Sequence, residues 1–494
     1  MIEKFRSLIK IRLNQKFVIA RVFAEFALRA GSLITFPLLS RAIGAEGYGV
    51  NSQLGVINSV LWPIATVGMG FSIVRMITGN KNKEYVSARF NSSILLVLCT
   101  SLLLASFVFF LAPFINDLFF KVSWATPVIQ WSSLLIVLTA IEQVLNDYYR
   151  SRLRIVAYSV EQIIQIIIYV IGLVIILNRS GGLLQVVLLN ITLKFIFILI
   201  LLIYFIHAGE IIPKKIFMPR NELLEMIRFG IPVVVMGIGA WVMSLGDRFV
   251  IGYFMDSKQV GIYNAAYTLA GLITSLGAPF WSPLYPHMAL YKNSNDIEGL
   301  YNICRKYSTM YFLFSIPAII GLIILSNEMI HILGTSEFIL SIFVFPPIVI
   351  GLFLDQFSSS SQYLIYLHNQ PIFMRNVMIL AGVFNLFLNV FLVPTFGILG
   401  SSIATLATYI LLTILFLRKI HTFGYQIKKL YDFRSIITFI ISAIFMAVVL
   451  YLIKSIFTGN FGLLLILIFI GLFSYFIFLF GINRFNINKL FDYL

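Results

Sequence analysis

The sequence predicts an all-α, polytopic membrane protein with about fourteen transmembrane helices: two six-helix bundles related by an internal parallel repeat, plus two C-terminal helices. The prediction depends on composition, on long apolar runs and on the alternation of basic loops. The 494 residues are 60% hydrophobic and 11% charged, with a mean hydropathy of +0.96, which excludes a water-soluble fold. Stretches such as 94–112 and 463–480 are apolar on every face, which favours helices over the alternating strands of a barrel.

Apolar runs bounded by charge clusters, Gly, Pro and Asn mark the predicted spans. A helix needs ~20 apolar residues to cross the hydrocarbon core of a bilayer. The fourteen predicted spans are 17–40, 48–77, 90–116, 127–149, 155–177, 183–206, 229–254, 260–289, 307–326, 339–366, 372–393, 397–417, 435–456 and 462–482.

These spans predict the domain organisation. We expect a cytoplasmic basic N-terminal segment, an N-terminal six-helix bundle, a cytoplasmic linker, a C-terminal six-helix bundle, a cytoplasmic loop, an additional transmembrane helix pair and a cytoplasmic tail. Their bounds are, in that order, 1–16, 17–206, 207–228, 229–417, 418–434, 435–482 and 483–494. The basic N-terminal segment is typical either of an interfacial helix or of a flexible tail.

The distribution of Lys and Arg predicts the orientation. Short cytoplasmic loops collect basic residues, and with both termini in the cytoplasm most of the 36 Lys and Arg fall on that side. The opposite side holds only Arg41, Lys121, Arg179, Lys258 and Lys454. The net charge of +16 is therefore mainly an orientation signal and an attraction to anionic lipid headgroups, and no basic domain indicates nucleic acid as a partner.

An internal repeat relates the two halves of the chain. The segment 44–51 after span one is similar to the segment 255–264 after span seven, with a shift of 212 residues from Gly49 to Gly261. Because each half has six spans, the halves run parallel and not inverted. Two such bundles facing each other would enclose a central cavity.

Several ionisable side chains lie within predicted spans. Each costs ~2.5–3.5 kcal/mol in hydrocarbon, so we expect it to face a wet cavity or a partner. Arg21, Glu25 and Arg29 recur at i, i+4 and i+8 and therefore share one face of span one. The remaining candidates are Glu142 in span four, Lys194 in span six, Asp247 and Arg248 in span seven and Asp355 in span ten.

The cations predict a chamber between the bundles for an anionic substrate, because Arg forks and a Lys point charge match phosphate or diphosphate. The candidate substrate-binding residues are Arg29, Arg248, Lys194 and Arg21. The candidates for ion coupling or structural pairing are Glu25, Glu142, Asp247 and Asp355, of which Glu142 and Asp355 occupy repeat-equivalent places. The alternative is that ion pairs such as Arg21 with Glu25 hold helices together without touching a ligand. We expect no catalytic residue, cofactor or metal.

Three segments resemble the polysaccharide-transport, Wzx-like flippases. Residues 41–49, RAIGAEGYG, resemble that family's R-x-L-G-x-x-x-Y-G signature after the first span. Residues 247–254 and 260–267 look like its D-R-x-x-x-G-x-x and V-G-x-Y-x-x-A-Y segment, and residues 396–404 resemble its F-G-x-x-G-x-x-x-A turn. Together the segments extend the resemblance over nearly the whole chain.

The resemblance implies a MATE-like fold of the multidrug/oligosaccharidyl-lipid/polysaccharide exporter (MOP) superfamily. It implies a flippase, not an enzyme, that moves undecaprenyl-diphosphate-linked oligosaccharide repeat units across the bacterial cytoplasmic membrane by alternating access. The product would be O-antigen, capsule or exopolysaccharide. Membrane lipid, a polysaccharide polymerase and a chain-length regulator would be further partners, and the last two spans would help form a groove for the lipid tail.

Other functions remain open at this point. A MATE-type multidrug or cation antiporter and a lipid II flippase belong to the same superfamily. A polytopic polysaccharide polymerase normally needs a substantial outer loop, and the outer loops here are short. The sequence contains no P-loop, so an ATP-driven pump within this chain is excluded.

Overall fold

The computed structural model describes residues 2–80, 82–152, 154–212, 218–339, 343–454 and 460–482. Side chains are described within these ranges except at 2–26, 28, 29, 155, 233, 236, 240 and 282. The described residues form helices joined by turns, and no β-strand occurs among them. The predicted all-α class is therefore confirmed.

The chain divides by packing into two compact units, 1–261 and 262–494. The helices of the first unit are α1 (Ile2–Ala65), α2 (Met69–Ile77), α3 (Lys83–Ile115), α4 (Ala125–Ser151), α5 (Ile155–Asn178), α6 (Leu183–His207), α7 (Arg220–Leu245) and α8 (Asp247–Phe254), with a π-helical turn at Asn116–Phe120. Helix α9 (Ser257–Ala270) crosses the boundary between the units.

The helices of the second unit are α10 (Leu272–Asn293), α11 (Ile297–Ile324), α12 (Ser326–Leu333), α13 (Phe345–Phe357), α14 (Ser359–Leu367), α15 (Pro371–Phe396), α16 (Ile398–Thr422), α17 (Ile427–Leu430), α18 (Phe433–Ile453) and α19 (Phe461–Gly481), with a 3-10 turn at Ser336–Phe338. The bundle bounds predicted from the repeat, 17–206 and 229–417, divide the chain by sequence equivalence and stay a prediction.

Ten helices of the described part are long and apolar enough to cross a membrane, or eleven if the bent pair formed by α1 and α2 is one span. The chain is thus a multi-pass membrane protein, but the predicted number of fourteen spans is not confirmed. Breaks at Gly271 and Ser358 divide predicted spans eight and ten. Each resulting helix is too short or too polar to qualify by itself as a membrane-crossing helix. Discontinuous helices of this kind occur in membranes where protein or a wet cavity satisfies the freed backbone groups.

A break at Gly44 separates the first two predicted spans. Helix α1 contains the whole of span one and the first part of span two, whose end lies in α2. Gly44 has φ 66° and ψ −175°, a left-handed value of φ that glycine adopts without a steric penalty. An unbroken helix of these 64 residues would be ~96 Å long, about three times the thickness of the hydrocarbon core. The backbone is helical from Ile2 onward, so the basic N-terminal segment continues into span one.

The two repeat-equivalent glycines, Gly49 and Gly261, touch each other in a reciprocal contact. A Cβ atom on Gly49 would lie 1.6 Å from the carbonyl oxygen of Ser257, and one on Gly261 would lie 2.2 Å from the carbonyl oxygen of Ala45. Ala45 and Ser257 are themselves related by the same sequence shift. A reciprocal contact between equivalent segments is the local signature of two-fold symmetry, and only glycine allows the two backbones to approach this closely.

The last two long helices pack on the second unit through α11. Helices α18 and α19 contact each other and both contact α11. The Phe445 and Phe478 rings stack with centroids 4.3 Å apart, and the Tyr475 hydroxyl donates a hydrogen bond to the Leu313 carbonyl oxygen at 3.1 Å. The predicted additional pair is therefore anchored mainly to α11, with a smaller contact between α19 and α12.

We expect Gly49→Ala and Gly261→Ala each to destabilise the protein by about 1–3 kcal/mol, because the new methyl group must push two backbones apart. Gly55→Ala is the matched control in the same helix, since a Cβ atom there meets nothing within 4 Å. Thermal unfolding of the three purified variants in detergent measures the difference. Equal stability of Gly49→Ala and Gly55→Ala would contradict the contact.

Candidate functional site

The three charges predicted on one face of span one lie on α1. The side chains of Arg21, Glu25 and Arg29 are outside the described residues. Their roles stay predictions. The described part of α1 just beyond them packs closely against α5, where the Cβ position of Gly31 lies 2.4 Å from a side-chain carbon of Ile166.

Lys194 and Glu142 form an ion pair that links α6 to α4. The Lys194 Nζ donates a hydrogen bond to Glu142 Oε2, and the two side chains are only 20% and 10% exposed. Each residue lies well inside its helix. At 1.5 Å per residue, Lys194 is about 17 Å or more from either end of α6. The sequence predicts different roles for these two residues, and the structure makes them partners.

A third charge, Glu161 on α5, belongs to the same cluster and was missed by the sequence analysis. Glu161 interacts electrostatically with both Glu142 and Lys194, and its Oε1 accepts a hydrogen bond from Gln165 at 2.9 Å. Its Oε2 is buried without a hydrogen-bond partner among the described residues. The polar spacing of Glu161 and Gln165 at i, i+4 in an otherwise apolar span was the signal that could have identified it.

A cavity of about 190 Å³ adjoins this cluster between α5 and α6. Lys194 lines it, with amide side chains from both helices and one aromatic hydroxyl; these are Gln162, Gln165, Asn190 and Tyr169. Amides and hydroxyls both donate and accept hydrogen bonds, so the cavity suits water or a polar ligand in the middle of a membrane span. We call Glu142, Glu161 and Lys194 the charged cluster.

The charged cluster holds two carboxylates and one ammonium group. Full ionisation of these three described side chains therefore leaves one net negative charge among them, and an uncompensated charge in the membrane is costly. One proton or one cation bound at the cluster neutralises it. The arrangement can thus exchange a positively charged ion, whereas the ion pair alone could only hold α4 and α6 together.

Asp247 and Arg248 lie where α7 ends and α8 begins, at the Gly246 junction. The Arg248 Nη1 donates hydrogen bonds to Asp247 Oδ1 at 2.6 Å and to the Ser244 carbonyl oxygen at 2.9 Å. Both side chains are almost completely buried, at 1% and 2% exposure. In this conformation Arg248 is engaged with its own helix junction, and substrate binding by this residue stays a prediction that needs the junction to open.

Asp355 lies in the second unit, near the end of α13. Its Oδ2 accepts a hydrogen bond from Gln356 at 3.0 Å, and its carbonyl oxygen accepts one from Ser358 at 2.8 Å, where the helix breaks. Glu142, its repeat-equivalent residue, instead has a lysine partner. The two predicted carboxylates thus have different environments in the two units, and no described residue forms a salt bridge with Asp355.

Of the predicted site residues with described side chains, the structure brings together Lys194 with Glu142 and Asp247 with Arg248. These observations define a polytopic membrane protein with a polar, charged site inside its helical bundle. The comparisons with known proteins specify the class further. The chain belongs to the polysaccharide biosynthesis protein family, whose model matches residues 18–292, and this confirms the resemblance seen in the sequence.

One curated relative is a probable low-salt glycan biosynthesis flippase, Agl15, of Haloferax volcanii. It is 26% identical over 182 residues, which cover 37% of this chain and 39% of that protein. The chain therefore spans about two fifths of the length of this relative.

Two solved structures share the fold. A lipid II flippase, MurJ, in an inward closed conformation superposes with a TM-score of 0.74 at 16% identity, covering 94% of this chain and 97% of that chain. An inward-facing multidrug resistance transporter of the MATE family of the MOP superfamily superposes with a TM-score of 0.64 at 14% identity, covering 82% and 98%. At these identities the likeness concerns the fold alone.

We expect single substitutions in the charged cluster to lower the stability of the protein by unequal amounts. Lys194→Met leaves two carboxylates without a cation and should cost about 3–5 kcal/mol of stability. Glu142→Met leaves Lys194 beside Glu161 and should cost less, and the double substitution should be more stable than Lys194→Met alone. Chemical denaturation in detergent gives these values, with Lys258→Met at an exposed position as the control. Strictly additive losses would contradict a shared cluster.

Proposed function

We propose that the protein is a flippase that translocates undecaprenyl-diphosphate-linked oligosaccharide repeat units across the bacterial cytoplasmic membrane by alternating access. The observation that carries this proposal is the charged cluster with its polar cavity inside the spans of a polysaccharide biosynthesis family member. A glycan headgroup needs hydrogen-bonding side chains and a diphosphate needs cations, and hydrocarbon supplies neither.

In this proposal Arg29 and Arg21 bind the diphosphate as the substrate enters, and Lys194 binds it when the ion pair with Glu142 opens. Arg248 contributes after its junction opens. Glu142 and Glu161 then couple the step to an ion gradient, because release of Lys194 to the substrate leaves two carboxylates that take up a proton or a cation. Asp247, Asp355 and Glu25 either take part in the same ion coupling or form structural pairs.

The membrane orientation and the partners are part of the same proposal. Both termini lie in the cytoplasm, as the basic loops predict. Undecaprenyl-linked repeat units then reach a polysaccharide polymerase and a chain-length regulator, for O-antigen, capsule or exopolysaccharide. The archaeal relative named as a probable low-salt glycan biosynthesis flippase supports a lipid-linked glycan as the substrate class.

A second candidate is a multidrug or cation antiporter. The excess of carboxylates in the charged cluster favours it, since two carboxylates and one ammonium group also suit an organic cation. The likeness in fold to a multidrug transporter is compatible with both functions.

Deletion of the gene in its host separates the two candidates. For a flippase we expect complete lipid-linked repeat units to accumulate on the cytoplasmic leaflet and surface polysaccharide to be lost, because synthesis continues while translocation stops. Extraction of the lipid-linked intermediates and a leaflet-specific glycan label measure this. Normal intermediates together with increased drug sensitivity would establish the antiporter instead.

Single substitutions in the complemented deletion strain test the anion contacts. Arg29→Ala should abolish polysaccharide export, because it removes a diphosphate ligand, whereas Arg29→Lys should recover part of it if a point charge suffices. Arg179→Gln, at an exposed position after α5, is the matched control that also removes one positive charge. Immunoblots of membrane fractions verify insertion, and full export by Arg29→Ala would refute this role.

A further inference from the structure

A second cavity lies in the second unit, where α11 meets the short helix α17 and the start of α18. Its volume is about 720 Å³. Its lining combines two cations with apolar and aromatic side chains and one carboxylate; these residues are Arg305, Lys428, Ile427, Tyr431, Phe433 and Asp432. We call it the α11–α18 pocket, and the proposed transport function does not use it.

The two cations of this pocket each keep a charged donor group that can bind a ligand. The Arg305 Nε and Nη2 donate to the Lys429 carbonyl oxygen at 3.2 and 3.1 Å, which fixes the guanidinium plane. Its Nη1 has no hydrogen bond within the part of the chain that the structure describes. The exposed Lys428 likewise forms no ion pair with any described residue.

The other charged groups near the pocket, Lys429 and Asp432, are already engaged by neighbouring residues. Lys429 pairs with Glu298 at 2.8 Å, and this hydrogen bond and charge raise the pKa of Lys429 above its ordinary value. Asp432 caps α18, since its Oδ1 accepts from the Ser435 amide at 3.3 Å and its Oδ2 from the Ser435 hydroxyl at 2.7 Å. Asp432 keeps its negative charge, so the two cations Arg305 and Lys428 leave the pocket with one net positive charge, which suits an anion.

The pocket also lies at the start of an exposed apolar face of α18. Phe433 lines the pocket and is 46% exposed, and Ile437 one turn further is 56% exposed. The same face continues with Ile441, Ile444 and Val448, all exposed. In a membrane-spanning helix such a face contacts acyl chains, so a ligand with its anionic group in the pocket can lay its chains along α18.

The surrounding loop strengthens this arrangement. Residues 418–434 carry the basic side chains Arg418, Lys419, Lys428, Lys429 and Arg434. Basic pockets between membrane helices at the cytoplasmic surface attract the anionic phospholipids of that leaflet. A soluble anion would gain nothing from the apolar face of α18. We infer that the α11–α18 pocket binds the phosphate of an anionic phospholipid, with Arg305 and Lys428 as its ligands and the α18 face as the seat of its acyl chains.

Lipid retention by the purified full-length protein tests this inference. The protein in detergent is titrated with mixed micelles of phosphatidylglycerol or phosphatidylcholine, and bound lipid is counted by native mass spectrometry. We expect phosphatidylglycerol to be retained in preference. Arg305→Gln with Lys428→Gln should weaken that retention about tenfold or more, because each removed charge lowers the attraction. Arg375→Gln with Arg220→Gln removes two exposed cations that lie outside the loop 418–434 and should leave retention unchanged.

Lys428→Glu keeps the test decisive if the Arg305 variant fails to fold, since Lys428 is exposed and its side chain forms no hydrogen bond or ion pair with described residues. Retention of phosphatidylglycerol by Lys428→Glu at the wild-type level would overturn the inference. Equal retention of phosphatidylcholine would show an apolar seat without anion selectivity, and displacement by millimolar inorganic phosphate would show a site for a soluble anion. Either result also overturns it. None of these outcomes bears on the flippase proposal, because the variants leave the charged cluster intact.

Discussion

Hydrocarbon offers no hydrogen-bond partner, and this constraint shapes every feature of the chain. Helices satisfy their own backbone groups, so the described residues form helices joined by turns. Polar and charged side chains must find partners inside the protein, as Lys194 does with Glu142 and Arg248 does with Asp247 and the Ser244 carbonyl oxygen. Where a helix breaks, at Gly246 or Ser358, a charged side chain lies within three residues. The sites of chemical interest are thus the places where the solvent forces the protein to supply its own polarity.

The sequence predicts the features that depend on neighbouring residues. Long apolar runs predict the helices, and the Gly44 segment marks the break in α1 because a left-handed φ there needs glycine. The repeat shift from Gly49 to Gly261 also identifies two residues that meet in space. The breaks within predicted spans eight and ten escape prediction, since Gly271 and Ser358 keep nearly helical backbone angles and carry no strong local signal.

Contacts between distant helices are the part that sequence reasoning does not reach. Lys194 and Glu142 are conspicuous individually, yet 52 residues separate them and nothing local shows that α6 packs on α4. Glu161 was overlooked because it lies within an otherwise apolar run near the start of α5, where a charge is easily explained by the membrane interface. Its place in the charged cluster depends on how α5 packs, which only the structure shows. The α11–α18 pocket likewise combines residues more than 120 positions apart.

The composition of the charged cluster determines how the membrane voltage acts on it. Moving one elementary charge across the membrane potential involves about 2.3 kcal/mol per 100 mV. With both carboxylates ionised, the cluster carries one negative charge, and any shift of it along the membrane normal does electrical work. With one proton bound it is neutral, and the same shift is electrically silent. Occupancy of a single site on Glu142 or Glu161 therefore decides whether a movement of α4, α5 and α6 responds to the membrane voltage.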